Sequence, residues 1–189
     1  MELKKLYEGC RTYRRFKQDK VPEDLIFEAL DMARIGSCGM NAQKLRYVAV
    51  LSEDAVSKMQ SLVKWAGFLP KEIGTPCENE RPTAFIAILK DKNSGGFIDV
   101  DIGIAANTIV TYLWDKGVGS CMLGSVNVAE AEKLLEVPEE LSLRLVIALG
   151  YPDHKSKVIP VSDDLKYRVD ENRDYLVPKL SLEDVVTKK

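Results

Sequence analysis

Three short stretches hold the residue types that could do chemistry. The first is Arg11-Thr12-Tyr13-Arg14-Arg15-Phe16. Its three guanidinium groups and one hydroxyl offer several charge-assisted donors, and a guanidinium fork matches phosphate oxygens two at a time. The same residues also suit a solvated basic turn ahead of a helix, because runs of charge are usually hydrated. The second stretch runs from Ala33 to Gln43, where Gly36, Ser37, Cys38 and Gly39 follow a helix end and let another group approach the backbone closely. Asn41 and Gln43 add amides that both donate and accept, as the edge of a flat heteroaromatic ring requires. A helix C-cap and a turn into a strand is the other reading. The third stretch, Gly117 to Ser125, is glycine-rich but is neither G-x-G-x-x-G nor a P-loop. Its backbone N–H groups could meet a ligand's acceptor atoms, or its glycines could simply serve a tight connection.

The remaining inventory narrows the chemistry. The chain has one histidine, His154. A Ser-His-Asp or Cys-His device would have to run through it, and no imidazole cluster is available for a metal. Its setting, Pro152-Asp153-His154-Lys155, reads as an exposed polar turn. Cys10, Cys38, Cys77 and Cys121 lie far apart, with no C-x-x-C pair, and are expected to be free thiols. Cys38 could serve a thiol enzyme only with a neighbouring base, which the sequence around it does not offer. Such a chain either uses acids and lysines or leaves the chemistry to a cofactor. With 27 basic and 29 acidic residues the net charge is −2, not the basic excess of a nucleic-acid binder. The longest uncharged apolar stretch, Ile102 to Trp114, falls short of the roughly 20 residues needed to cross a bilayer. With no apolar signal region near Met1, the expectation is a cytoplasmic protein bound neither to nucleic acid nor to membrane.

The elements that must position these stretches are readable from periodicity. The 189 residues fit one domain spanning 1–189. Residues 22–35 carry Leu25, Ala29, Leu30 and Ala33 at helical spacing, with Pro22 at the start and Gly36 as the stop. Strands are expected at 46–51, 83–89, 118–123 and 143–149; the second and fourth are continuous apolar runs of buried type. Ser52 is placed to cap a helix from Glu53 to about Trp65, and Asn127 to Glu130 has capping-box spacing for a helix to about Glu136. Residues 99–116 form a helix apolar over most of its circumference, which belongs at the centre of a core or at a subunit interface. Residues 67–82, with three prolines and no periodicity, read as an irregular loop that could cover a site, with Trp65, Phe68 and Leu69 as its apolar contribution. After Pro152 the composition becomes that of a polar, extended tail, about 153–189, ending in a short helix capped at Ser181. The fold class is α+β: an α/β sandwich with a central mixed sheet flanked by helices.

Taken together and in order, these stretches resemble the nitroreductase superfamily of FMN-dependent oxidoreductases. The family's R-[ST]-x-R-x-F is met by Arg11 to Phe16. Its A-P-S-[SA]-x-N-x-Q-P-W falls on Gly36 to Leu45, and D-x-G-[IA]-A-x-Q-N falls on Asp101 to Thr108. G-[LI]-G-[ST]-x-x-[LI]-G is met by Gly117 to Gly124, and A-L-G-Y-P stands unaltered at Ala148 to Pro152. The resemblance covers nearly the whole chain. It implies FMN as cofactor, with Arg11, Thr12 and Arg14 on its phosphate and ribityl chain. Ser37, Cys38, Gly39 and Asn41 would reach the flavin from the other subunit of a homodimer, and the backbone of Leu123, Gly124 and Ser125 would face its N5.

The implied activity is electron transfer from NADH or NADPH to a small flat aromatic acceptor such as a nitroaromatic or quinone, with no protein side chain as catalyst and no metal. A flavin-binding carrier or regulatory protein without turnover is the alternative. The tail would extend onto the dimer partner. The chain departs from the family at Lys44-Leu45, where relatives have Pro-Trp, and at Ser37-Cys38, where they have Pro-Ser. It departs again at Val177-Pro178-Lys179-Leu180, where many relatives end V-P-K-R with the arginine at the phosphate. Lys179 or Arg173 takes that arginine's role, or phosphate binding is weaker.

Overall fold

The computed structural model describes residues 2–189. It opens with α1 (Leu3–Gly9), a helix that buries no residue and has no sequence signal beyond its length. Residues 11–16 follow as an extended strap. In α2 (Glu23–Ile35), Pro22 precedes the first turn, Glu23 and Asp24 favour the positive end, and Ile26, Ala29 and Ala33 are buried. Then come β1 (Leu45–Val50) and α3 (Glu53–Leu62), whose first turn is capped by Ser52 accepting the Ala55 N–H. The single turn α4 (Lys71–Gly74), β2 (Ala84–Asp91), α5 (Ile98–Asp115) and β3 (Gly119–Leu123) lead to α6 (Val128–Leu134) and β4 (Leu141–Gly150). The expected capping box at Asn127 does not form. Asn127 has already given its backbone N–H to the Leu62 carbonyl at 2.8 Å, so no donor is left for Glu130.

The four-stranded sheet has the order β1-β2-β4-β3, with every neighbouring pair antiparallel. Its mixed character comes from the strap, because Thr12 bridges Ser120 of β3 in parallel. Alternation along the two central strands explains their continuous apolar runs, since both faces are covered. Ile86, Ile88, Ile147 and Leu149 face α2 and α5, whereas Phe85, Ala87, Leu89, Val146 and Ala148 face α3 and α6. Helix α5 buries Ile102, Ala106, Ile109 and Leu113 against the first face. Its other side leaves Val100 and Ile104 exposed, with open space over Gly103.

The strap is held by crossing close over paired glycines. Gly119 stands opposite Gly150 in the β3–β4 register. A Cβ on Gly119 would lie 2.7 Å from Pro152 and 3.0 Å from the Tyr13 ring; one on Gly150 would lie 2.8 Å from the Phe16 Cβ. Backbone bonds complete the crossing: the Tyr13 N–H donates to the Ser120 carbonyl at 2.8 Å and the Lys17 N–H to the Tyr151 carbonyl at 2.8 Å.

Three expectations change here. His154 is not an exposed turn residue. Its Nδ1 lies 2.9 Å from the Lys155 carbonyl and its Nε2 accepts the Arg14 backbone N–H at 3.0 Å, with the ring packed on Tyr13 and Tyr175. The polar flanks conceal the aromatic residues that fold back onto it from far away in sequence. Nor is the tail merely extended: β5 (Ser156–Pro160), β6 (Arg168–Val169) and β7 (Tyr175–Lys179) form a second sheet, order β5-β7-β6, and fully buried Tyr175 anchors it. Its end, with the Ser181-capped α7 (Leu182–Val185), leaves Leu180, Leu182, Val185 and Val186 exposed. Finally, the segment 67–82 is pinned at its far end by buried Glu80. Arg173 grips that carboxylate through two bonds of 2.7 and 3.2 Å, Arg15 stands 3.6 Å away, and the Glu80 carbonyl accepts the Phe16 N–H. Burial pushes the Glu80 carboxyl up, but its bonds to Arg173 and Cys77 outweigh this and leave it lowered.

Gly150→Ala is expected to destabilise the fold by about 1–3 kcal/mol, the usual range for overpacking, seen as a lower urea midpoint with unchanged slope. A pH dependence follows from His154. Burial, with help from the Arg15 and Arg14 charges, pushes its pKa down from 6.5 to about 4. Between those values the unfolded chain holds more protons than the folded one, so this stabilisation is complete above pH 6.5 and is lost as pH falls toward 4. The urea midpoint of His154→Gln should fall less steeply over that window than that of the wild type; parallel curves would contradict the assignment.

Candidate functional site

Arg11, Thr12 and Arg14 come together on one cleft of about 270 Å³, which Lys179 at the end of β7 also lines. The strap places them. Buried Tyr13 stacks on Trp114 at 5.0 Å and Arg15 is buried as well, so the alternate residues Thr12 and Arg14 turn toward the cleft. The Arg11 Nη2 donates to the Tyr7 carbonyl at 2.6 Å. The Arg14 guanidinium lies over the Tyr167 ring at 4.4 Å and the Tyr175 ring at 4.9 Å, both supplied by the tail. Cation–π contacts of this kind fix a planar cation without using its N–H donors. The Nε atoms of both Arg11 and Arg14 are buried with no hydrogen-bond partner. A buried donor left unpaired costs about 1–3 kcal/mol, and both arginines border the cleft, where an anion with several oxygens would meet guanidinium donors. The donor set fits a phosphate group.

The two tail cations separate clearly. Arg173 is held on Glu80, away from the cleft, whereas Lys179 lines it, and Leu180 is exposed. Lys179 therefore stands nearest the role that the missing arginine leaves open.

The second cluster does not share this cleft. Ser37 and Cys38 line a recess of about 110 Å³ beside Asp101 and Ala105 of α5. Gly39 opens onto a different, wider cleft of about 580 Å³. The buried Asp101 carboxylate accepts the Gly39 N–H at 2.7 Å. Immediately after it, Met40, Asn41 and Gln43 all have left-handed backbone, with φ of 51°, 53° and 49°. Three such residues without glycine store strain of about 1 kcal/mol or more each, and strain of this kind gathers at functional sites. The turn leaves Asn41 exposed and Met40 99 % exposed.

The third cluster divides. The Leu123 side chain is buried in the core facing α3 and α6, so only its backbone is available to a ligand. Gly124 has open space around it, and Ser125 is exposed while its carbonyl accepts the Lys64 N–H. Ser120 and Met122, which the sequence reading passed over, line the arginine cleft with Asn107 and Tyr167. Strand alternation was a usable signal for the first two, since 120 and 122 share a face. No local signal marks Tyr167, which arrives through the fold of the tail.

Thiol chemistry finds no support. Burial pushes the Cys121 thiol up to about 11 and also raises Cys10, and the one histidine is engaged with Arg14 rather than with Cys38. Among the described residues no cluster of His, Cys, Asp or Glu could hold a metal ion, and no helix is long and apolar enough to cross a membrane.

The fold as a whole recurs in known proteins. An iodotyrosine deiodinase of Thermotoga neapolitana is 28 % identical over 178 residues, covering 84 % of this chain and 94 % of the relative. Among solved structures, an FMN-dependent nitroreductase from Clostridium difficile R20291 superposes with a TM-score of 0.67 at 21 % identity, covering 84 % of this chain and 91 % of its own. An oxidised iodotyrosine deiodinase bound to FMN and 3-iodo-L-tyrosine reaches 0.68 at 24 %, covering 90 % and 98 %. At those identities the structures show a common fold. The sequence profile of the Nitroreductase family matches residues 8–151, from the strap through the end of β4. That span takes in most of the chain and all three clusters, and the protein belongs to the nitroreductase family.

Proposed function

We propose that the chain is an FMN-dependent oxidoreductase, working as a homodimer, that passes electrons from NADH or NADPH to a flat organic acceptor such as a nitroaromatic or quinone. The observation that carries this reading is the pair of arginines, Arg11 and Arg14, each with a buried, unpartnered Nε, lining one cleft with Thr12 and Lys179. Relatives described as FMN-dependent or FMN-bound support the identity of the phosphate-bearing ligand. FMN, when bound, supplies the two-electron chemistry. The chain's own part is to hold and orient: Arg11, Arg14 and Lys179 neutralise the phosphate, Thr12 adds a hydroxyl, and Tyr167 and Tyr175 keep the Arg14 plane fixed. The backbone of Leu123 to Ser125 lies beyond the same edge of the sheet, where it can receive the ring.

The separation of the two clusters supports the dimer. Asp101 and Ala105 of α5 stand at the Cys38 recess, and Asn107 and Val110 stand at the arginine cleft. Between them the helix exposes Val100, Gly103 and Ile104. Pairing that face with its copy would bring Ser37, Cys38, Gly39 and Asn41 of one subunit to the arginine cleft of the other, and would cover the apolar end of the tail. The segment 67–82 acts as a cover at the same place, since the Phe68 ring packs on Tyr167 at 5.2 Å. A second reading, reductive deiodination of an iodinated aromatic, is favoured by the deiodinase relative. It differs in acceptor and not in the cofactor site.

Anaerobic addition of NADH or NADPH to the purified yellow protein should bleach the flavin absorbance, and a nitroaromatic, quinone or iodotyrosine should restore it. A flavin that stays oxidised would favour the carrier reading instead. Arg14→Ala should raise the FMN dissociation constant by about tenfold or more, since a charge-assisted contact contributes roughly 1.5–3 kcal/mol. Riboflavin, which has no phosphate, should bind both proteins alike; equal FMN affinity would refute the phosphate assignment. Ile104→Lys should convert a sedimenting dimer to monomer with loss of bound flavin, and an unchanged dimer would show that α5 is not the interface.

A further inference from the structure

A second cleft is wider than the one with the arginines. It lies beside the strained turn, at about 580 Å³, between Gly39, Met40 and Ala42 on one side and Ser94, Phe97 and Ile98 on the other. Its walls are mostly apolar. Gly39 is needed there, because a Cβ at that position would lie 2.9 Å from the Phe97 ring. Phe97 is 58 % exposed and Met40 almost wholly so, which leaves a ring face and a polarisable thioether open to a flat partner.

Among the described residues lining this cleft, one is a cation: Lys44. It stands where relatives of the family pattern carry proline, so the charge is a feature of this chain. Its present partner holds it loosely. The Asp91 Oδ2 is 3.6 Å away in a half-exposed pair, while the Oδ1 of the same carboxylate already accepts the Asn93 N–H at 2.8 Å. Exposed pairs of this kind contribute little and exchange easily for a better-placed anion. The acid that also borders the cleft, Asp101, is buried at the foot of α5 and bonded to the Gly39 N–H, so its charge faces the positive end of the helix.

We propose that this cleft is the acceptor subsite and that Lys44 is its specificity-determining residue, selecting flat aromatic acceptors that carry a carboxylate. This rests on the flavin reading above only for where the electrons come from. The ring lies between Phe97 and Met40, and the carboxylate replaces Asp91 on the Lys44 ammonium. The strain at Met40, Asn41 and Gln43 holds the apolar wall in place before the acceptor arrives.

The test uses one ring with three charges: 4-nitrobenzoate, 4-nitrobenzyl alcohol and 4-nitrobenzylamine as acceptors, with benzoate, benzyl alcohol and benzylamine as unreactive binders measured by titration calorimetry. Wild type should prefer the carboxylate over the alcohol by about tenfold in kcat/KM, as one partly exposed charge-assisted contact allows, and the amine should be poorest. Lys44→Gln should remove that preference through KM, leaving the alcohol and the flavin spectrum unchanged; Lys44→Arg should keep it; Asp91→Asn should increase it. Phe97→Ala should weaken all three. If no flavin binds or NAD(P)H does not reduce it, the functional reading fails, and the benzoate titrations still decide the subsite. Equal binding of benzoate and benzyl alcohol, a preference for the amine, or a Lys44→Gln effect confined to the KM for NADPH would each overturn the proposal.

Discussion

The close crossing of residues 13–16 over the Gly119–Gly150 pair is the constraint on which the site depends. Neither glycine has room for a methyl group, because Tyr13, Phe16 and Pro152 occupy that space. The crossing sends Tyr13 and Arg15 inward, and alternation then presents Thr12 and Arg14 outward. The strap in turn templates the tail. Arg14 gives its backbone N–H to His154 and its guanidinium plane to Tyr167 and Tyr175, while Arg15 donates to the Arg173 carbonyl at 2.7 Å. Lys179 reaches the cleft because Tyr175, four residues earlier, is locked in place.

A second constraint concerns charge. Arg15 and Arg173 share the single carboxylate of Glu80, and Arg15 is almost completely buried with its Nη1 unpartnered. Removing one partner from such a group leaves an uncompensated buried charge, a cost larger than the pair itself contributes. The arrangement ties three distant segments, the strap, residues 67–82 and the tail, to one point. It also explains why Arg173 cannot replace the arginine absent at Leu180: its donors are already committed.

Much of the framework was readable in advance because its signals are local. The two central strands announced themselves by continuous apolar runs, which arise when both faces of a sheet are covered, and Ser52 and Ser181 cap their helices as their spacing suggests. The grouping of Arg11, Thr12 and Arg14 on one cleft was legible too, since three near neighbours on an extended strap need little help from the fold. What failed was long-range. His154 read as exposed because its polar neighbours say nothing of Tyr13, about 140 residues earlier in the chain. The tail read as merely extended because fully buried Tyr175 follows the polar run Glu171 to Asp174 and finds its core in another segment. Segment 67–82 read as an irregular loop, with no sign of its anchor, because nothing near Glu80 reveals its two arginine partners. The left-handed positions Met40, Asn41 and Gln43 carry no glycine, so composition could not flag them.

The central claim is that one site draws on two copies of the chain: the arginine cleft of one and the Gly39–Asn41 turn of the other. Mixing two variants tests this most directly. Arg14→Ala and Gly39→Leu, each deficient in NAD(P)H-dependent turnover alone, would be unfolded together and refolded at equal concentration. In a mixed dimer of the proposed geometry one site carries both changes and the other carries neither. Random pairing then returns roughly a quarter of the wild-type sites, and turnover should recover to about that level. Turnover that stays at the level of the separate variants, with mixed dimers demonstrably formed, would contradict the account and place each site within a single chain.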